Sequence, residues 1–298
     1  MTSPILKPLA LAIMATSLTG CFSSDSSDGD SGTLSLGITD APVDSLKEVN
    51  IQFTGISIKP ASGERVEIEL DEPRTLDMLE LQNGNAADLL DEQPVPAGDY
   101  NWVRLDVDSS DISKMNVITD NDEQHGLTVP SGELKLVSGF TVPQGGSADF
   151  TIDVDLRKAV INPEAQGQDY KLRPALRLVD NTEVGSVEGT ISGELVTDAC
   201  GDNNQQFDGS IYVYEGADAE LVDYNPDASP LMSASVEVND SNEYSYTAAF
   251  LSEGDYTIAY TCTSDDTEVV DDSMDFRGKR NVTFEANATQ TENFELSN

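Results

Sequence analysis

From Thr33 onward the apolar positions recur at every second residue. Leu34, Leu36 and Ile38 alternate with small residues, and Val49, Ile51 and Phe53 repeat the pattern. That period turns one side of an extended chain toward a core and the other toward water. The alternation changes phase after Thr54-Gly55, where Ile56 and Ile58 take over, and this predicts a glycine-assisted β-bulge. Further strands are expected at residues 65–70, 100–107, 135–137, 150–156 and 172–179. Residues 78–91 break the pattern. There Met78, Leu79, Leu81, Ala86, Leu89 and Leu90 fit a helical face interrupted at Asn83-Gly84-Asn85, so one short helical segment, or two turns, is expected. A polar link over 181–186 precedes a second run of strands at 187–193, 210–214, 234–238, 244–250, 256–261 and 282–284. Many short strands and little helix predict an all-β chain: two antiparallel β-sandwich modules in tandem, over residues 32–180 and 187–298.

The modules share punctuation. Pro96-Ala97-Gly98-Asp99-Tyr100, leading into a strand, is echoed by Ser252-Glu253-Gly254-Asp255-Tyr256, and residues 140–150 are echoed by 282–294. The glycine supplies a turn conformation that other residues resist, and the tyrosine opens the next strand. The echo reads as two related sandwiches similar to prealbumin-like and carboxypeptidase-regulatory modules; unrelated hairpins with the same turn grammar would produce it too.

The N-terminus bears on location. After Lys7, an apolar run over 9–18 is too short to span a bilayer, which needs ~20 such residues, so residues 1–20 read as an export signal. The run ends in Leu18-Thr19-Gly20-Cys21, which resembles the bacterial lipobox. Cys21 is therefore expected to carry acyl chains such as palmitate, with residues 21–31 as a polar tether. Phe22 in place of Asp resembles lipoproteins sorted to the outer membrane.

Composition narrows the partners. The 298 residues carry 16 Lys+Arg against 55 Asp+Glu, a formal charge of −39, and long-range repulsion of phosphates leads us to expect neither a nucleic-acid nor an anionic-lipid binder. Membrane attachment is expected through the lipid alone. With Cys21 lipidated, Cys200 and Cys262 remain, and in an exported chain a structural disulfide is expected. The only His, His125, sits in the acidic run 120–126 and is expected to be a solvated loop residue.

The candidate chemistry lies in carboxylates. Asp153 and Asp155 share a strand face with Arg157, Asp106 stands beside Arg104, and Arg173 and Arg177 are placed to pair across strands. One reading is a polar face laced with ion pairs. The sharper one is a carbohydrate or cation site on that face, with Tyr100 and Trp102 as stacking rings. Acid-rich runs offer oxygen ligands for Ca2+ at Asp106, Asp108 and Asp111, at residues 120–123, and at Asp265, Asp266, Asp271, Asp272 and Asp275. None keeps the EF-hand register.

Several blocks carry a family resemblance. Residues 32–42 (GTLSLGITDAP), 95–105 (VPAGDYNWVRL), 129–137 (VPSGELKLV), 152–156 (IDVDL) and 170–179 (YKLRPALRLV) occur in the order seen in domain-of-unknown-function family 4382, which the first module resembles. The resemblance implies an envelope lipoprotein and brings no activity with it. The expected function is non-enzymatic: a lipid-anchored binding or assembly subunit recognising a glycan or a partner protein. The alternatives are a carboxylate-dependent hydrolase of extracellular polysaccharide and a purely structural spacer.

Overall fold

The computed structural model describes residues 31–41, 46–162, 168–201, 208–224, 229–263 and 273–296. The export signal, Cys21 and nearly all of the tether lie outside them. In the first module the strands are β1 (Ser31–Ala41), β2 (Leu46–Pro60), β3 (Val66–Asp77), β4 (Ala87–Pro96), β5 (Gly98–Val107), β6 (Asn116–Thr119) and β7 (Gln124–Thr128). They continue with β8 (Glu133–Leu136), β9 (Phe140–Val142), β10 (Ser147–Asp155), β11 (Val160–Ile161), β12 (Tyr170–Leu172) and β13 (Leu176–Asp180). The second module holds β14 (Val184–Ile191), β15 (Ser210–Glu215), β16 (Met232–Ser235), β17 (Glu237–Val238), β18 (Tyr244–Ser252), β19 (Gly254–Thr261), β20 (Phe276–Phe284) and β21 (Thr289–Thr291). Among the described residues helix is confined to α1 (Leu156–Ala159), α2 (Gly193–Cys200) and a single 3-10 turn, Met78–Leu81.

Each module is two sheets over its own core. In the first, the sheet β13-β10-β1-β4 faces a nine-stranded sheet ordered β11-β12-β7-β6-β2-β5-β8, with β3 on β2 and β9 on β5. Leu36, Ile38, Ile51, Phe53, Ile56, Val103, Leu105 and Ile152 are at most 2% exposed between them. The second pairs β17-β18-β14-β21 with β16-β15-β19-β20 around Val187, Ile211, Val213, Ile258 and Phe284. The chain is all-β, as the alternation requires. Most pairings are antiparallel, but β1–β10, β7–β12 and β14–β21 are parallel. In both modules the opening strand thus slots beside a late one.

The phase slip at Thr54 is a bulge: Phe53 faces Val107 and Gly55 faces Asp106, leaving Thr54 over. A Cβ on Gly55 would stand 2.8 Å from the Ile68 carbonyl, so this close approach admits glycine. The expected helical segment over 78–91 is corrected. It is one 3-10 turn capped by Asp77, whose carboxylate accepts the Leu79 amide, and then the chain breaks where Asn83 and Gly84 take positive φ. From Ala87 it is a strand on β1. Leu89 and Leu90 are both buried because β4 is bulged, with register shifts on either side of Leu36 and positive φ at Glu92. Two consecutive inward leucines imitate a helical face.

The echoed turns have the same local geometry. The Tyr100 hydroxyl donates to the Pro96 carbonyl at 2.6 Å and the Tyr256 hydroxyl to the Ser252 carbonyl at 2.9 Å, each four residues back. Gly98 and Gly254 both have positive φ, and each tyrosine packs on a phenylalanine, Phe140 and Phe284. In the second module Cys200, at the end of α2, is bonded to Cys262 just past β19, with Cα atoms 5.2 Å apart. Closing a sequence separation of 62 contributes about 4 kcal/mol in the chain-entropy model.

Chain direction decides how the modules meet. Thr33 faces Ser147 in the parallel β1–β10 pair and Asp180 faces Phe150 in the antiparallel β10–β13 pair, so Ser31 and the exit from β13 lie at one end of the sheet. A tight turn, with the Glu183 amide on the Asp180 carbonyl, then starts β14. The second module lies back alongside the first, in contact with β13, β1, α1 and the Gln82–Gly84 turn.

Candidate functional site

The carboxylates at the end of β10 are drawn into the seam between the modules. Asp153, 6% exposed, faces Arg177 directly across the β10–β13 ladder. Arg177 donates to it through Nη2 at 2.6 Å and Nε at 3.2 Å, and through Nη1 at 3.0 Å to the carbonyl of Phe250 in the second module. One guanidinium therefore ties a first-module acid to a second-module backbone.

Asp155 caps α1. Its carboxylate accepts the Lys158 amide at 3.3 Å and pairs with the Lys158 ammonium at 2.9 Å. Lys158 in turn reaches the Pro230 carbonyl at 3.3 Å and lies 4.9 Å from the Tyr224 ring centroid. Burial pushes the Asp155 carboxyl above its usual range, against the pull of Lys158. It likewise pushes Tyr224 well up, with Asp155 adding to the shift.

Arg157, 2% exposed, completes the seam. It donates to the Tyr212 hydroxyl at 2.8 Å and the Ser210 hydroxyl at 3.3 Å, and its guanidinium lies 5.3 Å from the Tyr212 centroid and 5.5 Å from that of Tyr224. At the other side of the seam the Asn83 amide donates to Glu237 at 2.6 Å and the Ser235 hydroxyl to Gln82 at 3.0 Å. Between these contacts is a cavity of about 10 Å3 bordered by Thr39, Asp40, Asp153 and Ser233, room for about one water. Arg173 stays exposed and takes no part in the Asp153 pairing.

The β5 candidates divide. Lys59 faces Trp102 and Pro60 faces Tyr100, so Asn101 is an extra residue in β5. This bulge turns Tyr100 into the core, 2% exposed and stacked on Phe140 at 4.8 Å, and leaves Trp102 half-buried on the outer face. The Tyr100 ring is therefore not offered to a ligand. Trp102 carries the Lys135 ammonium 4.6 Å from its centroid. Asp106 belongs to a satisfied network: it pairs with Arg104 at 2.8 Å and accepts the Ser57 hydroxyl at 3.0 Å, while Arg104 also holds Glu133 at 2.6 Å.

His125 sits within β7 rather than in a loop, half-buried, with Tyr170 at 5.6 Å between centroids and Glu123 at 3.7 Å. Asp108 and Asp111 each accept a nearby backbone amide, from Ser110 and Ser113 at 2.9 Å, and hydrogen bonding by the side chains of those serines, helped by the amides, holds both carboxyls below the usual range. Asp122 pairs with Lys47 at 2.7 Å and Asp275 with Arg277 at 2.7 Å, while Asp265, Asp266, Asp271 and Asp272 lie outside the described residues. Among the described residues no group of three or more His, Cys, Asp or Glu side chains is placed to hold a metal ion. No helix there is long and apolar enough to cross a membrane.

The second-module half of the seam went unread in the sequence. Its signal is residues 210–214, Ser-Ile-Tyr-Val-Tyr, five consecutive buried positions of β15 before the exposed Glu215. A strand covered on both faces has a neighbour on each.

No curated protein matches the chain in sequence. Among solved structures, a leucine-rich repeat protein from Bacteroides thetaiotaomicron is 13% identical with a TM-score of 0.21; the match covers 90% of this chain but only 26% of that one. A minor pilin of Streptococcus agalactiae is 10% identical over 88% of this chain and 94% of its own, TM-score 0.20. A candidate adhesin from Bacteroides ovatus is 9% identical over 89% and 90%, TM-score 0.21. At such scores these likenesses carry no functional weight. The family model described as Domain of unknown function (DUF4382) matches residues 31–174, from β1 through β12, and the first module is a domain of that family.

Proposed function

We propose that the chain is a lipid-anchored envelope protein with a non-enzymatic role in binding or assembly, engaging a glycan or a partner protein. The observation that carries this reading is the use made of its candidate acids. Asp153 and Asp155 are held by Arg177 and Lys158 in the seam between modules, and Asp106 by Arg104 and Ser57. A glycosidase needs two carboxyls facing each other across an open cleft about 5–10 Å wide, and a 6%-exposed acid tied to arginine does not serve. The spacer reading loses support from the folding back of the second module, which shortens the reach of the chain.

The test uses full-length chain in its native envelope. Wild type should fractionate with membranes, Cys21→Ala should be released, and cross-linking should recover a specific protein or polysaccharide with the wild type. Turnover of a polysaccharide that Asp153→Asn abolishes without loss of fold would overturn the non-enzymatic reading. Firm membrane attachment of Cys21→Ala would overturn the anchor.

A further inference from the structure

We infer that the outer face of β5 around Trp102 rests on the phospholipid surface to which the chain is tethered. The inference builds on the Cys21 anchor proposed above, and four observations carry it.

The first is chemistry. Trp102 lies opposite Lys59 on β2, and Lys135 on β8, opposite Arg104, places its ammonium over the indole. An indole flanked by lysines suits the headgroup layer, where an aromatic body meets apolar material and ammonium groups meet phosphates. The second is exposure. Val137 follows Leu136, which faces Val103, and so arrives beside Trp102; at 77% it is the most exposed large hydrophobic residue among those described.

The third is charge. In a molecule of −39, a face that approaches phosphates has to be locally relieved of acids. Here Asp106 and Glu133 share Arg104, Glu67 is paired with Arg65, and Lys59 and Lys135 put two positive charges beside the indole, while the exposed Glu69 lies farther along the face, across Gly55 from Asp106.

The fourth is position. Ser31 accepts the Gly145 amide, and Gly98 pairs with Val142 at the same end, so Trp102 lies four residues, about 13 Å, up β5 from the point where the tether enters. Nine residues separate Cys21 from Ser31, so covalent geometry limits their separation to about 35 Å. The face is held within reach of the bilayer at high local concentration, where a weak contact is populated.

Trp102 is the only tryptophan, so emission reports on this face alone. The lipidated full-length chain is reconstituted into phosphatidylethanolamine–phosphatidylglycerol vesicles whose acyl chains are brominated or plain, and attachment is read separately by flotation. Docking predicts that brominated lipid quenches Trp102 roughly twofold, as for an interfacial indole. Val137→Asp and the double change Lys59→Glu, Lys135→Glu should remove the quenching while the protein still floats. Equal emission over both lipids, with the protein floating, overturns the inference. If the chain does not float, the anchor reading fails, and unlipidated Cys21→Ala at high lipid decides the face by itself: quenching sustains docking and its absence refutes it. A Trp102 response to soluble acidic polysaccharide with none to lipid would make the face a glycan site instead.

Discussion

One inserted residue separates two aromatic neighbours. Tyr100 and Trp102 stand at i and i+2, which regular alternation puts on one face, and the Asn101 bulge sends one inward and the other out. Nothing in the composition of that stretch announces the insertion, whereas at Thr54-Gly55 the change in phase of the flanking isoleucines did. The paired tyrosine turns were legible because a glycine before an aromatic residue recurs. Tyr100→Phe and Tyr256→Phe each remove one hydroxyl-to-carbonyl bond and leave the ring packed. Each should lower stability by about 1 kcal/mol in urea denaturation, with the spectra of the folded protein unchanged. Asp155 has a distinct pH signature. Its carboxyl is raised by burial, so the folded chain holds the proton more tightly than the unfolded one. Its contribution therefore grows more favourable as pH falls through the raised value toward the ordinary 3.8, and is least favourable at neutral pH. Asp155→Asn keeps a capping side chain and abolishes this dependence. The stability of wild type relative to the variant should rise on acidification, and a difference that falls or stays level contradicts the assignment.

At the level of elements, the strands were readable and the pairing partners were not. Period two identifies a strand and its buried face, but whether β1 lies beside β10 or β9 depends on contacts more than a hundred residues apart in sequence. The misread segment 78–91 shows the limit of periodicity, since a bulged strand and a broken helix both bury adjacent leucines. The open edges are also informative. β3 and β4 border a cleft of about 510 Å3 with Leu70, Leu89 and Leu90 within it and Glu69, Asp71, Glu72 and Pro73 along its rim. Acids and proline on unpaired edges discourage strand addition by another chain. The seam makes the sharpest element-scale prediction. Arg177→Ala leaves Asp153 buried without its ion pair and frees Phe250, and should cost about 3–5 kcal/mol. Unfolding followed by Trp102 emission should shift to lower denaturant by that amount. A shift under about 1 kcal/mol would show that the pair is replaceable by solvent.

For the whole molecule, the sequence showed two cores and left their arrangement unstated. The ion pairs expected on one polar face do form within the first module, but they are buried in the seam, where Arg177, Lys158 and Arg157 also donate hydrogen bonds to a second module whose contact surface begins at Ser210, more than fifty residues after Arg157. Side-by-side packing predicts a radius of gyration near 19 Å in solution X-ray scattering, the value for one compact body of this size. An end-to-end pair would exceed about 25 Å, and so would wild type if the seam were open. The entry and exit of the first module at one end of its sheet have a mechanical consequence. If the chain is tethered at Cys21 as proposed, tension between that tether and anything gripped by the second module would enter at Ser31 and leave at Asp180, across the strands instead of along them. Loaded that way, a sheet peels rung by rung at low force. The bridges from Arg177 and Arg157 span the two modules and divert the load around that weak end, so under such a pull the seam is where the folded chain would resist.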